Sequence, residues 1–359
     1  MLKLVLDDSL IKNHLYPFTL TRSAADIRIG ILTIRQKWEK LLGKPISVNS
    51  DDLLSSPATE AGAVPAVFSA NIIPSQGFIN ALLKGGYDEA NFLKQEFVRI
   101  LQHPWHIFEY NDWALRQDFE LITKGRHSMP IPEWVHTVGS RNIFVEEGAI
   151  LNHCILNASS GPIYIGKNAE VMEGATIRGP FSLGENSVVK MGARIYGATT
   201  VGPYCTVGGE IKNAVFFGYS NKAHDGYLGD AVIGEWCNLG AGSSNSNIKN
   251  TASPVTVWNN ATKEFTNAGI KCGLFMGDYS RCAINTSFNT GTVVGACCSI
   301  FGEGLTPKNI PSFAWGNQGV TRYEFEKALK DIQNWKQLKK QSLSEKEIQT
   351  LQHIFEHTF

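Results

Sequence analysis

The chain has 359 residues, room for more than one domain, and its 33 lysines and arginines balance 33 aspartates and glutamates. Zero net charge excludes a general electrostatic drive towards nucleic acid or anionic membrane, so neither is expected as a partner. No apolar run approaches the ~20 residues of a membrane helix, and the stretch from Met1 to Asp8 lacks the apolar core and cleavage site of a secretory signal. Seven cysteines (Cys154, Cys205, Cys237, Cys272, Cys282, Cys297 and Cys298), with no CxxC pair, argue against a disulfide framework or a zinc site. A reduced, cytoplasmic protein is expected.

Residues 1–132 alternate strand and helix signals, as a small α/β domain would. A short strand carries Leu2, Leu4 and Leu6. A helix is predicted from Ile31 to Leu42, stopped by Gly43. A Ser/Asp/Pro-rich loop from Asn49 to Pro65 leads to a strand from Ala66 to Ser69, and Pro130-Ile131-Pro132 forms the exit linker.

Residues 133–315 are expected to form a second domain with a different period. From Ile165 an aliphatic residue recurs every six positions: Val171, Ile177, Leu183, Val189, Ile195, Val201, Val207. Small residues follow four later at Ala169, Ala175, Ser187, Ala193, Thr199 and Cys205. A period of six fits neither an amphipathic helix nor a simple alternating strand. It fits a triangular coil in which each hexapeptide lays one flat face, its aliphatic residue pointing inwards. The fold class is therefore mainly β, a left-handed parallel β-helix. A second run (Ile270, Met276, Cys282, Phe288, Val294, Ile300) follows in another phase, and Tyr227, Ile233 and Leu239 keep the period in a third. Such slips predict loops leaving the coil between Gly218 and Gly226 and between Ser243 and Phe265.

Residues 316–359 read as two helices. Thr321 with Glu324 suggests a capping box ahead of Phe325, Ala328, Leu329, Ile332 and Trp335; Ser344 with Glu347 suggests another. Capping of the coil's open end, or of a neighbouring subunit, is the expected role.

The segment from Gly208 to Ile248 carries the chemistry. It contains Glu210-x-Lys212, Lys222-Ala223 followed by His224, Tyr227-Leu228-Gly229-Asp230-Ala231-x-Ile233-Gly234, and Asn238-x-Gly240-Ala241-Gly242. Over about the middle half of the chain this resembles the hexapeptide-repeat acetyltransferase half of the bifunctional uridyltransferase/glucosamine-1-phosphate acetyltransferases. The resemblance implies acetyl-CoA as co-substrate and His224 as general base, a role that suits neutral imidazole near pH 7. It places Arg194 and Lys212 on a sugar phosphate, Tyr227, Asn238 and Asn247 on the sugar, and the backbone of Gly240-Ala241-Gly242 against acetyl-CoA. Active sites in this family lie between adjacent β-helices, so a homotrimer is implied. Two departures stand out. Asn247-Ile248 replaces the family's Asn-Tyr, and the family's loop lysine has no aligned partner, Ser253 standing nearest and Lys249 close by.

At the N-terminus, the run from His14 to Gly30 is similar to the segment after the nucleotide loop of sugar nucleotidyltransferases, and the whole arrangement resembles a divergent bacterial group of these bifunctional enzymes. Arg22, Arg28 and Arg35 are then candidate phosphate ligands, with UTP and magnesium implied if the domain is active. The Gly-rich phosphate loop is replaced by Leu6-Asp7-Asp8-Ser9, and Ala70-Asn71 stands where the family has Gly-Asp. Three readings follow: an acetyltransferase on a hexosamine phosphate or nucleotide sugar, a sugar-1-phosphate nucleotidyltransferase, or a non-catalytic sugar-nucleotide-binding scaffold.

Overall fold

The computed structural model describes residues 4–51, 53–55, 66–84 and 98–358. It is mainly β: a left-handed solenoid of about ten turns between a small α/β unit and two C-terminal helices. Leu2 and most of the Asn49–Pro65 loop lie outside the described residues.

The α/β unit is built on a parallel sheet ordered β2-β1-β3, with β1 at Leu4–Asp7, β2 at Ser47–Asn49 and β3 at Ala66–Ser69. Helix α1 (Ile34–Leu42) crosses from β1 to β2. Thr33 and Gln36 close a reciprocal capping box at its start, and Gly43 takes the left-handed conformation after its end. A hairpin-like pair, β4 (Ile72–Pro74) with β5 (Val98–Ile100), and helices α2 (Gln76–Leu83) and α3 (Asn111–Thr123) complete the unit.

In the solenoid each coil lays short parallel strands on three faces. On the first face Ile163–Ile165 pairs with Phe181–Leu183 and that with Thr199–Val201. The second face stacks Glu170–Val171, Val188–Val189 and Thr206–Val207; the third stacks Thr176–Arg178 and Arg194–Tyr196. All eight aliphatic residues of the first periodic run are buried in one core. Each contributes roughly 1.5–3 kcal/mol by leaving water. Coils approach closely: a Cβ at Gly184 would meet the Gly202 carbonyl carbon at 2.6 Å, so these positions admit only glycine.

The phase slip after Val207 has no loop behind it. Two long strands, Glu210–Gly218 and Tyr227–Glu235, run from the third face onto the first without a break. The inward spacing shortens to four from Val207 to Ile211; Asn213 (φ 50°) and Asp230 (φ 47°) then turn the corner in the left-handed region, with steps of five from Ile211 to Phe216 and from Leu228 to Ile233. Leu228, not Tyr227, is therefore the core residue. The second slip does come from an insertion. After Asn247 the chain leaves the coil and forms an antiparallel hairpin, Thr256–Asn259 with Glu264–Asn267, before rejoining at Leu274–Met276. Ile270 is exposed and not part of the inward run, which starts at Met276.

The first face is apolar on its outer side too. Val215, Phe217, Val232, Phe275 and Val293 point out of the solenoid and are buried with Phe18, Ile27 and Phe108, so the α/β unit and the solenoid share one core. Phe18 touches both Phe217 and Phe275, ring centroids 5.1 Å and 6.4 Å apart.

The edge between first and second faces is a column of left-handed residues, among them Tyr204, Tyr219, Trp236, Tyr279 and Phe313. Tyr219 stacks on Tyr204 at 4.9 Å and on Trp236 at 4.4 Å. Helices α4 (Phe325–Gln337) and α5 (Glu345–Glu356) lie along this aromatic edge, Ala328, Ile332, Leu351 and Ile354 packing on it. They cover a long edge of the solenoid. The Ser344–Glu347 capping box forms; the expected Thr321–Glu324 box does not, because α4 starts at Phe325 with Glu324 in the capping position and no side-chain cap.

Candidate functional site

On the third face the strand register stacks Arg194, Glu210 and Tyr227 in one column and Tyr196, Lys212 and Gly229 in the next. The alternate residues Ile195, Ile211 and Leu228 are in the core, so these columns face outwards. Tyr196 donates its hydroxyl to Glu210 at 2.7 Å, and the half-exposed Arg194 lies 3.8 Å from the same carboxylate. Among the described residues no carboxylate pairs with Lys212, whose ammonium sits 6.0 Å from the Tyr196 ring centre. A groove of about 350 Å³ continues along this face, lined by Asn157, Thr176, Arg178, Arg194 and Tyr196.

At the third-to-first corner a polar relay is fixed around Asp230. Its two oxygens accept from Asn213 Nδ2 (2.7 Å) and Asn247 Nδ2 (2.6 Å). Asn247 Nδ2 also reaches the Tyr227 hydroxyl at 3.1 Å. Burial, with the Asp230 charge adding to it, pushes the Tyr227 phenol up to about 12, so it stays protonated at neutral pH.

His224 lies at the neighbouring corner, between second and third faces, with its side chain exposed. Beneath it is Lys222, which occupies the inward slot that Val207 and Leu239 fill in the adjoining coils. Its ammonium donates to the His224 carbonyl at 2.7 Å and to the Gly208 carbonyl at 3.2 Å. Gly240-Ala241-Gly242 forms the same corner one coil on, where Gly242 donates to the Asp225 carbonyl at 3.0 Å. A Cβ at Gly240 would lie 2.5 Å from the Ala283 carbonyl carbon, so coil packing itself demands this glycine. Asn238 is placed apart, on the second face between Asn221 and Arg281.

Arg194, Lys212, Tyr227 and Asn247 thus share the third face and its margin, with His224 and the glycine stretch at the adjoining corner. Sequence reasoning missed Asp230, Asn213 and Lys222. Lys222 was detectable: it falls six residues after Phe216 and six before Leu228, a lysine in an aliphatic slot.

Arg22 and Arg28 are spent on the seam between the α/β unit and the solenoid. Arg22 pairs with Asp278 at 2.5 Å and Glu235 at 3.3 Å and lies over the Phe217 ring. Arg28 donates to the Phe217 carbonyl at 2.8 Å and to that of Ile31. Arg35 pairs with Asp26 at 2.6 Å. After β1, buried Asp8 accepts from the Ala24 amide at 2.9 Å, and Asn71 donates to the Leu101 carbonyl at 2.7 Å. A cavity of about 500 Å³ opens beside the ends of β1 and β2, lined by Ser9, Lys12, Asp51, Trp258, Lys263 and His357. Among the described residues no three His, Cys, Asp or Glu side chains gather to hold a metal ion.

Residues 4–98 match a family model described as sugar nucleotidyl transferase. The chain is 32% identical over 103 residues to the bifunctional protein GlmU of Methanocaldococcus jannaschii, covering 29% of this chain and 25% of that one. It is 30% identical over 210 residues to a bifunctional sugar-1-phosphate nucleotidylyltransferase/acetyltransferase of Sulfurisphaera tokodaii, covering 58% and 45% respectively. The chain therefore spans a quarter to just under half the length of these relatives, and because relatives include archaeal proteins the likeness is not confined to a bacterial group. Among solved structures, the polySia specific acetyltransferase NeuO aligns at 12% identity and a TM-score of 0.29, over 53% of this chain and 85% of that chain.

Proposed function

We propose that the chain is an acetyl-CoA-dependent acetyltransferase whose acceptor is the amine of a hexosamine phosphate or nucleotide sugar. The observation that carries this reading is the gathering of Arg194, Lys212, Tyr227 and Asn247 around the third face of the solenoid, beside the corner that presents His224. The arrangement supplies two cations for a phosphate, amide and hydroxyl groups for a sugar, and an exposed imidazole. In the proposed step the acceptor amine attacks the thioester carbonyl, His224 takes the proton the nitrogen loses, and the thiolate of CoA leaves and is protonated. A homotrimer, with the groove completed by a neighbouring copy, belongs to the same proposal, as does work in the cytoplasm; no helix among the described residues is long and apolar enough to cross a membrane.

A second reading, uridylyl transfer from UTP to a sugar-1-phosphate in the α/β unit, is favoured by the family match over residues 4–98 and by the cavity beside β1 and β2. The docked Arg22 and Arg28 and the absence of a Gly-rich loop after β1 weigh against it. A third, a non-catalytic scaffold that binds sugar nucleotides, predicts binding without turnover.

One assay set separates these. Purified protein is incubated with acetyl-CoA and glucosamine-1-phosphate, and separately with UTP, magnesium and N-acetylglucosamine-1-phosphate. Thiol release that disappears in His224→Ala supports the first reading and pyrophosphate release the second. An active acetyltransferase indifferent to His224→Ala would sink the assignment of the base.

A further inference from the structure

An ammonium in the interior of a β-solenoid has a desolvation cost that an aliphatic residue would not incur, and the neighbouring coils carry Val207 and Leu239 in that slot. Lys222 is 2% exposed and makes no ion pair among the described residues. Its bonds go instead to two backbone carbonyls on successive coils, Gly208 and His224, at the same corner. The corner is tightly bedded. A Cβ on Gly209 would stand 2.7 Å from the His224 carbonyl oxygen and 2.9 Å from the Asp225 Cα, and one on Gly226 would stand 2.1 Å from the Ser243 carbonyl oxygen. The bedding comes from the coils above and below; the clamp from inside is Lys222.

We infer that Lys222 is a positioning residue for His224, holding the corner backbone from within the solenoid so that the imidazole is presented in one place. This rests on the acetyltransferase reading for its consequence but not for its geometry. The Lys222 ammonium bonds the backbone that carries His224, through the Gly208 and His224 carbonyls. Its removal should therefore act through the placement of His224, where a small misplacement of a catalytic group lowers the rate steeply.

The test is Lys222→Met, which keeps the chain length and loses the donor, with Lys222→Leu, matching Leu239 of the next coil, as the second variant should methionine not fold. With acetyl-CoA and glucosamine-1-phosphate, kcat is expected to fall at least tenfold while KM for acetyl-CoA stays within twofold. In a His224→Ala background the same change is expected to alter the residual rate by less than twofold. Amide hydrogen exchange gives a readout independent of activity. Glu210 and Gly242 donate to the carbonyls of Gly226 and Asp225 at 3.3 Å and 3.0 Å, so their exchange should quicken at least tenfold while the Gly166 and Gly184 amides, coils away, do not change. A kcat within twofold of wild type, an equal loss in the His224→Ala background, or unchanged exchange at Glu210 and Gly242 would each overturn the inference. If wild type acetylates no acceptor, the acetyltransferase reading fails, and the exchange measurement still decides whether Lys222 holds the corner.

Discussion

Asp278 and Arg22, 256 residues apart in sequence, meet at 2.5 Å across the seam between the α/β unit and the solenoid. Thr21 donates to the same carboxylate at 2.6 Å, and the Asp278 side chain also accepts from the Glu235 amide at 2.8 Å. Burial works against the charged guanidinium, but Asp278 and Glu235 outweigh it and hold Arg22 above its usual pKa.

Breaking that pair leaves a charge buried without its partner. Arg22→Ala or Asp278→Ala is expected to cost about 3–5 kcal/mol of unfolding free energy, read from urea denaturation. A nucleotide or sugar-phosphate affinity that falls in Arg22→Ala with stability unchanged would contradict the structural role.

A second seam contact is neutral. Asn111 is fully buried; it accepts from the Gly30 amide at 2.7 Å and the Thr200 hydroxyl at 3.0 Å and donates to the Ala198 carbonyl at 2.9 Å. Asn111→Ala orphans the Gly30 amide and the Ala198 carbonyl, while the Thr200 hydroxyl keeps the Gly30 carbonyl at 3.0 Å, and should destabilise by about 3 kcal/mol. Thr200→Val should cost about 1 kcal/mol, a difference a pair of melting curves resolves.

Asp230 fixes the amide of Asn247. Asp230→Asn removes the anionic acceptor, so Asn247 loses its orientation towards the third face. On the acetyltransferase reading, KM for the sugar acceptor should rise about tenfold, the ~1.4 kcal/mol of one charge-assisted hydrogen bond, with KM for acetyl-CoA unmoved. Steady-state kinetics with each substrate varied in turn checks this.

Lys222 also sets a pH dependence. Burial pushes its pKa from 10.5 down to about 8. Between those values the unfolded chain binds the proton that the folded chain has released, so stability rises with pH across the window. The cost is fully present below about pH 8 and relieved by about pH 10.5. The stability of wild type relative to Lys222→Met should therefore rise by roughly 2–3 kcal/mol between pH 7.5 and pH 10; a flat difference in urea midpoints would refute the burial of the charge.

The coil was legible because its rule is local: one inward aliphatic side chain every six residues. Every position from Ile165 to Val207 obeys it. It failed where a strand ran through a corner: Leu228 to Ile233 is a five-residue step, so counting back six from Ile233 puts Tyr227 in the core in place of Leu228. The third-face columns were partly legible through residue types, yet their partnership is a matter of register: Arg194, Glu210 and Tyr227 are 16 and 17 residues apart. The fate of Arg22 and Arg28 was not legible at all, since Asp278 and the Phe217 carbonyl are brought to them only by docking.

A solenoid with Val215, Phe217, Val232, Phe275 and Val293 turned outwards on one face cannot dispense with whatever covers it. The α/β unit is thereby required as the cover of an apolar wall, whether or not it processes a nucleotide. Phe18 and Ile27 answer to that wall, so a polar side chain at either would open the seam and not alter a pocket.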